Sequence, residues 1–513
     1  MENQDYRRKI ADVVNYITKN FIAEELSDLL APGCTGGVIL GRKSIDESEL
    51  KRYVPATITL TLLNSILGNN TLLKGGSGTA KTQLAKVIGT ILYQIPVEFF
   101  DLKKTTGAPK QTRDNIYGTH DFPRMLNPEL GPSEFLYLPY YAGIVIIDEI
   151  NRWTNLEQNI IREGISSDVW PVDGKSFHIP DQIVIAAMNP ESYEGTNLLN
   201  ENLADNFAIQ LPPPEYNSIL HDKLVRESKT NIENLLGCRD LVEKLEEYYR
   251  KDKGNTKYVI AKIKDISEEM KKVLDERKVP YIYNGDITKI RQEIEAQEFD
   301  PETTFLQHMI IAEMTYSYKF GRNRSSDPRS DHTHDQKYLS TKISEPLKGR
   351  FLNDWTALAK AISWYVGEEK VSIDALRTAF IYTAAHRIKP EKDFYQKIYS
   401  ERRVDGMPVG FEPMAAEYEC ARAMFNSVYD HYNDLKPESD EMFKIRKAIQ
   451  IMNNEDSGKS DKLEDALNTL EDAYNILKNV DHPVGKLLSS AIADYKIKLL
   501  KGEIKLKGED NAS

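Results

Sequence analysis

Between Asn70 and Pro214 the chain alternates short apolar runs with stretches of helical spacing. The runs are TLLK, VEFFDL, GIVIID, DQIVIAAMN and FAIQL. Short apolar runs separated by helical patterns are the signature of a parallel sheet covered by helices. LPPPEY at 211–216 closes this unit, because consecutive prolines continue neither a strand nor a helix. The fold class expected is therefore α/β.

The rest of the chain reads as helix. Residues 5–30 place Ile10, Val13, Val14, Ile17, Phe21 and Ile22 at helical spacing, and APGCTGG then breaks the pattern. Residues 46–68 read as helix, 217–320 as charged helices, and 346–390 as two or three helices with VGEEKVS between them. GRNRSSDPRSDHTHDQK at 321–337 is polar and rich in breakers. DGMPVGFEP at 405–413 reads as a linker before amphipathic helices, which NNEDSGKSDK interrupts at 453–462. No repeat of fixed period is present.

With 513 residues, 40% apolar and 28% charged, the chain is long enough for about three domains of ordinary globular composition. A net charge of −12 gives no global attraction for nucleic acid or anionic membrane, although a local basic groove stays open. Cys34, Cys238 and Cys420 form no metal-ligand pattern, and so sparse a set points to a reducing compartment. MENQDYRRKIADVV has no apolar signal core, and no apolar stretch is long enough to span a bilayer. A cytoplasmic location is expected.

GGSGTAKT, Gly75 to Thr82, follows the first apolar run. It nearly spells the phosphate-binding pattern G-x-x-x-x-G-K-[ST]. Glycines let backbone N–H groups turn toward phosphate oxygens, and the next helix aims its positive end at the same anion. Lys81 would reach the outer phosphates, and Thr82 would place a hydroxyl on Mg²⁺. Ala80 stands where the last glycine belongs. It fits if its dihedrals are right-handed and its methyl points away from the phosphates. Alone, the stretch reads equally as a glycine-rich turn. GIVIIDEINRW ends a strand at Asp148 and Glu149, where a second Mg²⁺ contact and a base for the attacking water are needed. DQIVIAAMNP ends another at Asn189, whose amide can bond that water or the γ-phosphate. Each motif singly is an ordinary strand end, but three in order are hard to obtain by chance.

With these segments the chain resembles the MoxR family of AAA+ ATPases, over about 36–214 and again over about 340–390. The loop GTAKT, the run from DEINRWTNLEQN through the VDGK hairpin to NPESYEGT, and GRFLNDWTALAKAISWYVGEEKVSIDALRTAFIYTAAHRI carry the similarity. TTGAPKQTRDNIYGT and GPSEF are similar to the helix-2 insertion of this clade, and GGVILG to the segment that packs against the base. The resemblance implies an AAA+ P-loop NTPase core with a parallel sheet, a small helical lid and an added C-terminal helical domain. It divides the chain into an N-terminal helix (1–35), the nucleotide-binding core (36–214), a helical connecting region (215–340), the lid (341–404) and the extension (405–513). It makes Gly75, Gly76, Ser77, Gly78, Thr79, Ala80, Lys81 and Thr82 the Walker A loop, so Ala80 is a family trait. It makes Asp148 the metal ligand with Thr82, Glu149 the catalytic base, Asn189 sensor 1 and Arg350 sensor 2. Read without the resemblance, Arg350 is a solvated arginine at a helix start.

The implied reaction is Mg²⁺-dependent attack of water on the γ-phosphate of ATP. It occurs in a homo-oligomeric ring, most often a hexamer, that remodels or activates a client protein, with a von Willebrand factor A domain partner. There is one departure. Where the family has an arginine acting on the neighbouring subunit's γ-phosphate, this chain has Asn206. Arg152 and Arg162 are candidates to replace it, against ordinary salt bridges. Two other readings stay open: a nucleic-acid motor or restriction-type NTPase, and a nucleotide-dependent scaffold with weak turnover. His332 and His334 have metal-like spacing but no further ligands nearby, and read as a solvated loop.

Overall fold

The computed structural model describes residues 5–31, 46–103, 105–127, 133–191, 193–214, 219, 222, 232–315, 338–343, 349–401, 403–404, 407–408, 413–435, 439–453, 463–504 and 506. GGVILG and the His332 and His334 segment lie outside them. The chain forms two compact units, one of residues 1–297 and 353–368, the other of 298–352 and 369–513.

The first unit is built on a five-stranded sheet of β1 (Thr71–Lys74), β2 (Thr105–Thr106), β3 (Ile144–Asp148), β4 (Ile183–Met188) and β5 (Ile209–Leu211). Its order is β5-β1-β4-β3-β2. Every pairing is parallel, with Ile185 opposite Thr71, Ile183 opposite Ile144, Ile209 opposite Thr71 and Thr105 opposite Ile147. Every residue of β1 and β4 is buried, as central strands of a covered parallel sheet must be. Because β4 lies between β1 and β3, the three strands that carry the motifs are neighbours, and their C-terminal ends open on one edge.

Around this sheet are α1 (Tyr6–Asn20), α2 (Ala56–Ile66), α3 (Lys81–Tyr93) and α4 (Asn155–Ser167), followed by α5 (Arg239–Asp252), α6 (Thr256–Glu276) and α7 (Asn284–Glu295). Between β2 and β3 runs an antiparallel hairpin, Gly118–His120 with Glu134–Leu136, which carries the short helix Phe122–Leu126. The VDGK hairpin also forms, Val169–Val172 pairing with Lys175–His178. Asp173 and Gly174 both take positive φ (38° and 87°), as the tight turn between right-twisted strands requires.

Two local expectations are corrected. VEFFDL is not a strand: Val97–Asp101 is a 3₁₀ turn, and the sheet strand is the short Thr105–Thr106 beyond it. Val97, Phe99 and Phe100 are all buried in that turn. Residues 46–68 are not one helix either. A helix Glu47–Arg52 gives way to strand Tyr53–Pro55, paired antiparallel with Leu26–Asp28, before α2 begins. The buried Glu24 carboxylate starts α2, accepting from Thr57 N at 2.7 Å and Ile58 N at 3.0 Å. It satisfies N–H groups that a proline N-cap leaves orphaned.

The second unit is helical. It contains α8 (Pro301–Thr315), the first residues of α9 (Gly349–Val366), α10 (Ile373–Ala384), α11 (Lys392–Glu401), α12 (Pro413–Leu435), α13 (Ser439–Met452), α14 (Leu463–Lys478) and α15 (Pro483–Leu500). Buried Phe305, Phe380, Phe425, Leu470 and Leu488 form its core. No described helix is long and apolar enough to cross a membrane.

Candidate active site

The loop between β1 and α3 is shaped by close approaches. A Cβ on Gly75 would lie 2.5 Å from the Pro213 ring, so only glycine fits there. Thr79 Oγ1 donates to Gly76 O at 2.7 Å and closes the turn. Ala80 departs from the sequence expectation: its backbone is left-handed, with φ 55° and ψ 17°. The chain reverses at this residue to enter α3, where Leu84 N bonds Ala80 O at 2.8 Å, and that reversal demands positive φ. An L-residue pays about 1–2 kcal/mol there, which is why glycine is the usual occupant.

Lys81 opens α3 and is buried. Its ammonium donates to Gly75 O at 2.7 Å, Gly76 O at 2.6 Å, Thr79 Oγ1 at 3.3 Å and Asn189 Oδ1 at 3.5 Å. Burial pushes its pKa below the ordinary lysine value, while the Asp148 and Glu149 carboxylates oppose the shift.

β3 delivers Asp148 and Glu149. Glu149 sits in the left-handed region at φ 51°, as the residue before the turn Ile150–Arg152. The neighbouring β2 holds it there: Gly107 N bonds Asp148 O at 2.9 Å, and a Cβ on Gly107 would lie 2.1 Å from Glu149 O. β4 delivers Asn189, which is buried and uses both ends of its amide. The oxygen accepts from Lys81, and Nδ2 donates to Glu149 Oε1 at 3.3 Å. Asn189 O in turn accepts from Asn151 Nδ2 at 2.8 Å.

Ser77, Gly78, Thr79, Ala80, Lys81, Thr82, Gln83, Asp148, Glu149 and Asn189 line one open cavity of about 630 Å³, at the N-terminus of α3. That size lies within the roughly 300–1,000 Å³ usual for ligand sites. The Thr82 hydroxyl and Asp148 carboxylate are hard oxygen donors of the kind Mg²⁺ takes. Of the residues expected at a nucleotide site, Ser77 to Thr82, Asp148, Glu149 and Asn189 converge on this cavity, whereas Gly75 and Gly76 do not line it and meet it through their carbonyls' bonds to Lys81. Arg350 is an exposed residue in the first turn of α9 and belongs to the second unit. Asn206 is tied up locally, its Nδ2 donating to Asn202 O at 2.8 Å and its carbonyl accepting from Asn70 at 3.0 Å. Arg162 lies on α4 and does not line the cavity. Arg152 forms an ion pair with Glu149 of its own chain at 3.1 Å.

Sequence reasoning missed Gly107 as a contributor, and Lys74 as a buried charge at the end of β1. Gly107 follows a two-residue strand too short for any periodicity to reveal. Lys74 ends β1 almost fully buried, in an ion pair with Glu191 at 3.0 Å. The missed signal was a lysine in the position where an apolar strand turns into the loop.

Glu313, His431 and His482 in the second unit also bring three potential ligand atoms within 4.8 Å of one another, all buried. This is a closed hydrogen-bond cluster, not a metal centre. His482 Nδ1 accepts from Val484 N at 3.0 Å, so the ring proton must sit on Nε2, where it donates to Glu313 Oε1 at 3.0 Å. A nitrogen that carries a proton has no lone pair for a metal. His431 Nδ1 bonds the same oxygen at 2.7 Å.

Residues 70–209 match the family described as ATPase family associated with various cellular activities (AAA). Uncharacterized protein YeaC of Bacillus subtilis (strain 168) is 28% identical over 183 residues, which is 34% of this chain and 53% of that protein. The chain thus spans about half the length of the curated relative it matches. A solved structure of a candidate ATPase from Cytophaga hutchinsonii ATCC 33406 aligns over 83% of this chain and 94% of its own, with TM-score 0.47 and 13% identity. The stretch that matches the AAA family, residues 70–209, is the one that carries the five-stranded parallel sheet and the phosphate-loop cavity at its edge.

Proposed function

We propose that this chain hydrolyses ATP at the cavity between the Gly75–Thr82 loop, Asp148–Glu149 and Asn189. In this reading it acts as a MoxR-like member of the AAA+ class. The observation that carries the reading is the meeting of a helix N-terminus, a buried ammonium, two carboxylates and a fixed amide at one opening. Lys81 exchanges its bonds to the loop carbonyls for the outer phosphate oxygens. Thr82 and Asp148 would hold Mg²⁺, which would supply neutralisation of phosphate charge. Glu149 takes the proton from the attacking water, and Asn189 keeps that carboxylate turned toward the cavity.

The test is nucleotide titration and steady-state hydrolysis in Mg²⁺. Lys81→Ala should lose ATP binding. Glu149→Gln should bind as the parent does but turn over about 10²–10⁴-fold more slowly, because only the base is removed. Parent-like binding by Lys81→Ala, or parent-like turnover by Glu149→Gln, rejects the reading. Assembly into a ring, a client protein that the ring remodels and a von Willebrand factor A domain partner follow from the MoxR resemblance. Co-purification with identification of the captured protein tests them. Binding with negligible turnover in the parent chain would instead favour a nucleotide-dependent scaffold, to which Asn206 in the arginine position lends weight.

A further inference from the structure

An exposed arginine three residues from a glutamate is ordinarily a weak surface pair, worth about 0–1 kcal/mol. Arg152 and Glu149 differ from that case in how both ends are fixed. Glu149 is held in a left-handed conformation by Gly107 and by the Gly107–Asp148 hydrogen bond. Arg152 N bonds Glu149 O at 2.9 Å, and Asn197 Nδ2 reaches Arg152 O at 3.4 Å. From these anchors the guanidinium meets Glu149 Oε1 at 3.1 Å, the same oxygen that accepts from Asn189 Nδ2 at 3.3 Å. An ion pair and a hydrogen bond from an amide therefore converge on a single carboxylate oxygen. Among the described residues no hydrogen bond occupies Oε2.

We propose that Arg152 is a positioning residue that holds Glu149 from within its own chain, leaving Oε2 to take the water proton. The need is electrostatic. A polyphosphate entering the cavity repels the Glu149 carboxylate, and a side chain 27% exposed has room to swing toward solvent. The neutral amide of Asn189 opposes that repulsion weakly, whereas a guanidinium cancels it at close range. This reading rests on Glu149 being the base. It also assigns Arg152 a role in cis, in contrast to an arginine that serves the neighbouring subunit.

The experiment measures kcat and KM for ATP, and the affinity for a fluorescent ADP analogue, in Arg152→Ala, Arg152→Lys, Glu149→Gln and the double variant Arg152→Ala/Glu149→Gln. Removing Arg152 should lower kcat roughly 10–100-fold, the cost of a misplaced reacting group, with KM and ADP affinity within about twofold of the parent. Arg152→Lys should recover part of the loss, since it restores the charge without the fork. In the Glu149→Gln background, Arg152→Ala should cost nothing further, because a positioning residue has no effect once its target is gone. Additive losses in the double variant, or parent-like kcat for Arg152→Ala beside an inactive Glu149→Gln, overturn the role of Arg152 alone. Parent-like turnover by Glu149→Gln overturns the base and the proposal together. Mixing Arg152→Ala with Lys81→Ala chains separates cis from trans: recovery of hydrolysis in the mixture would make Arg152 a residue of the neighbour's site and end the proposal.

Discussion

At the scale of single residues, the site depends on backbone that ordinary side chains resist. Ala80 and Glu149 both sit at positive φ without being glycine. Such residues persist only where their surroundings over-determine them. For Ala80 this yields a stability prediction. Ala80→Gly removes a penalty of about 1–2 kcal/mol and adds about 0.4–1 kcal/mol of unfolded-chain entropy, so a net gain of about 0.5–1 kcal/mol is expected by chemical denaturation. A loss of stability would show that the methyl makes packing contacts outweighing its strain. Gly107 is the converse. A Cβ there meets a carbonyl 2.1 Å away, and backbone cannot step aside as a flexible side chain can. Gly107→Ala should therefore displace Glu149 and lower turnover at least about tenfold while nucleotide binding persists. Unchanged turnover would mean that Glu149 needs no such support.

At the scale of elements, strand order does the assembling. β4 enters between β1 and β3, so Asn189 comes to rest between Lys81 and Glu149 although 108 residues separate it from the lysine. In the second unit the same principle joins α8, α12 and α15 through Glu313, His431 and His482. Burial alone would raise the Glu313 pKa, but hydrogen bonds from the two histidines outweigh it and hold the carboxyl below its usual value of 4.5. A carboxylate depressed in the folded state contributes stability that is present above the ordinary value and lost as pH falls through the folded one. Stability of this unit should thus erode below about pH 4.5 in the parent, and Glu313→Gln should flatten that dependence at the cost of about 1–3 kcal/mol near neutrality. Because the cluster is closed by hydrogen bonds, a chelator should leave the melting temperature unchanged. A drop on adding chelator would reinstate a metal.

At the scale of the whole molecule, the ring reading makes hydrolysis a property of association. Specific activity per chain should then rise with protein concentration and level off as assembly saturates, with sedimentation following the same curve. A constant specific activity in a sample that stays monomeric would remove the ring and leave hydrolysis as a property of one chain.

What the sequence by itself determined was local. It contained the α/β alternation, the glycine-rich loop with its lysine, and strand ends bearing Asp148, Glu149 and Asn189. These are legible because phosphate cradling and strand burial impose residue types over a few consecutive positions. Other features were decided only in three dimensions. VEFFDL became a 3₁₀ turn whose Phe100 ring packs against Gly89 of α3, a contact that strand periodicity does not weigh. Ala80 went left-handed because the chain must reverse between a fixed strand and a fixed helix. Arg152 meets its own Glu149 where Gly107, just beyond the neighbouring strand, packs against the Glu149 carbonyl. Each outcome depends on contacts between segments distant in sequence, and no local pattern of residue types records those.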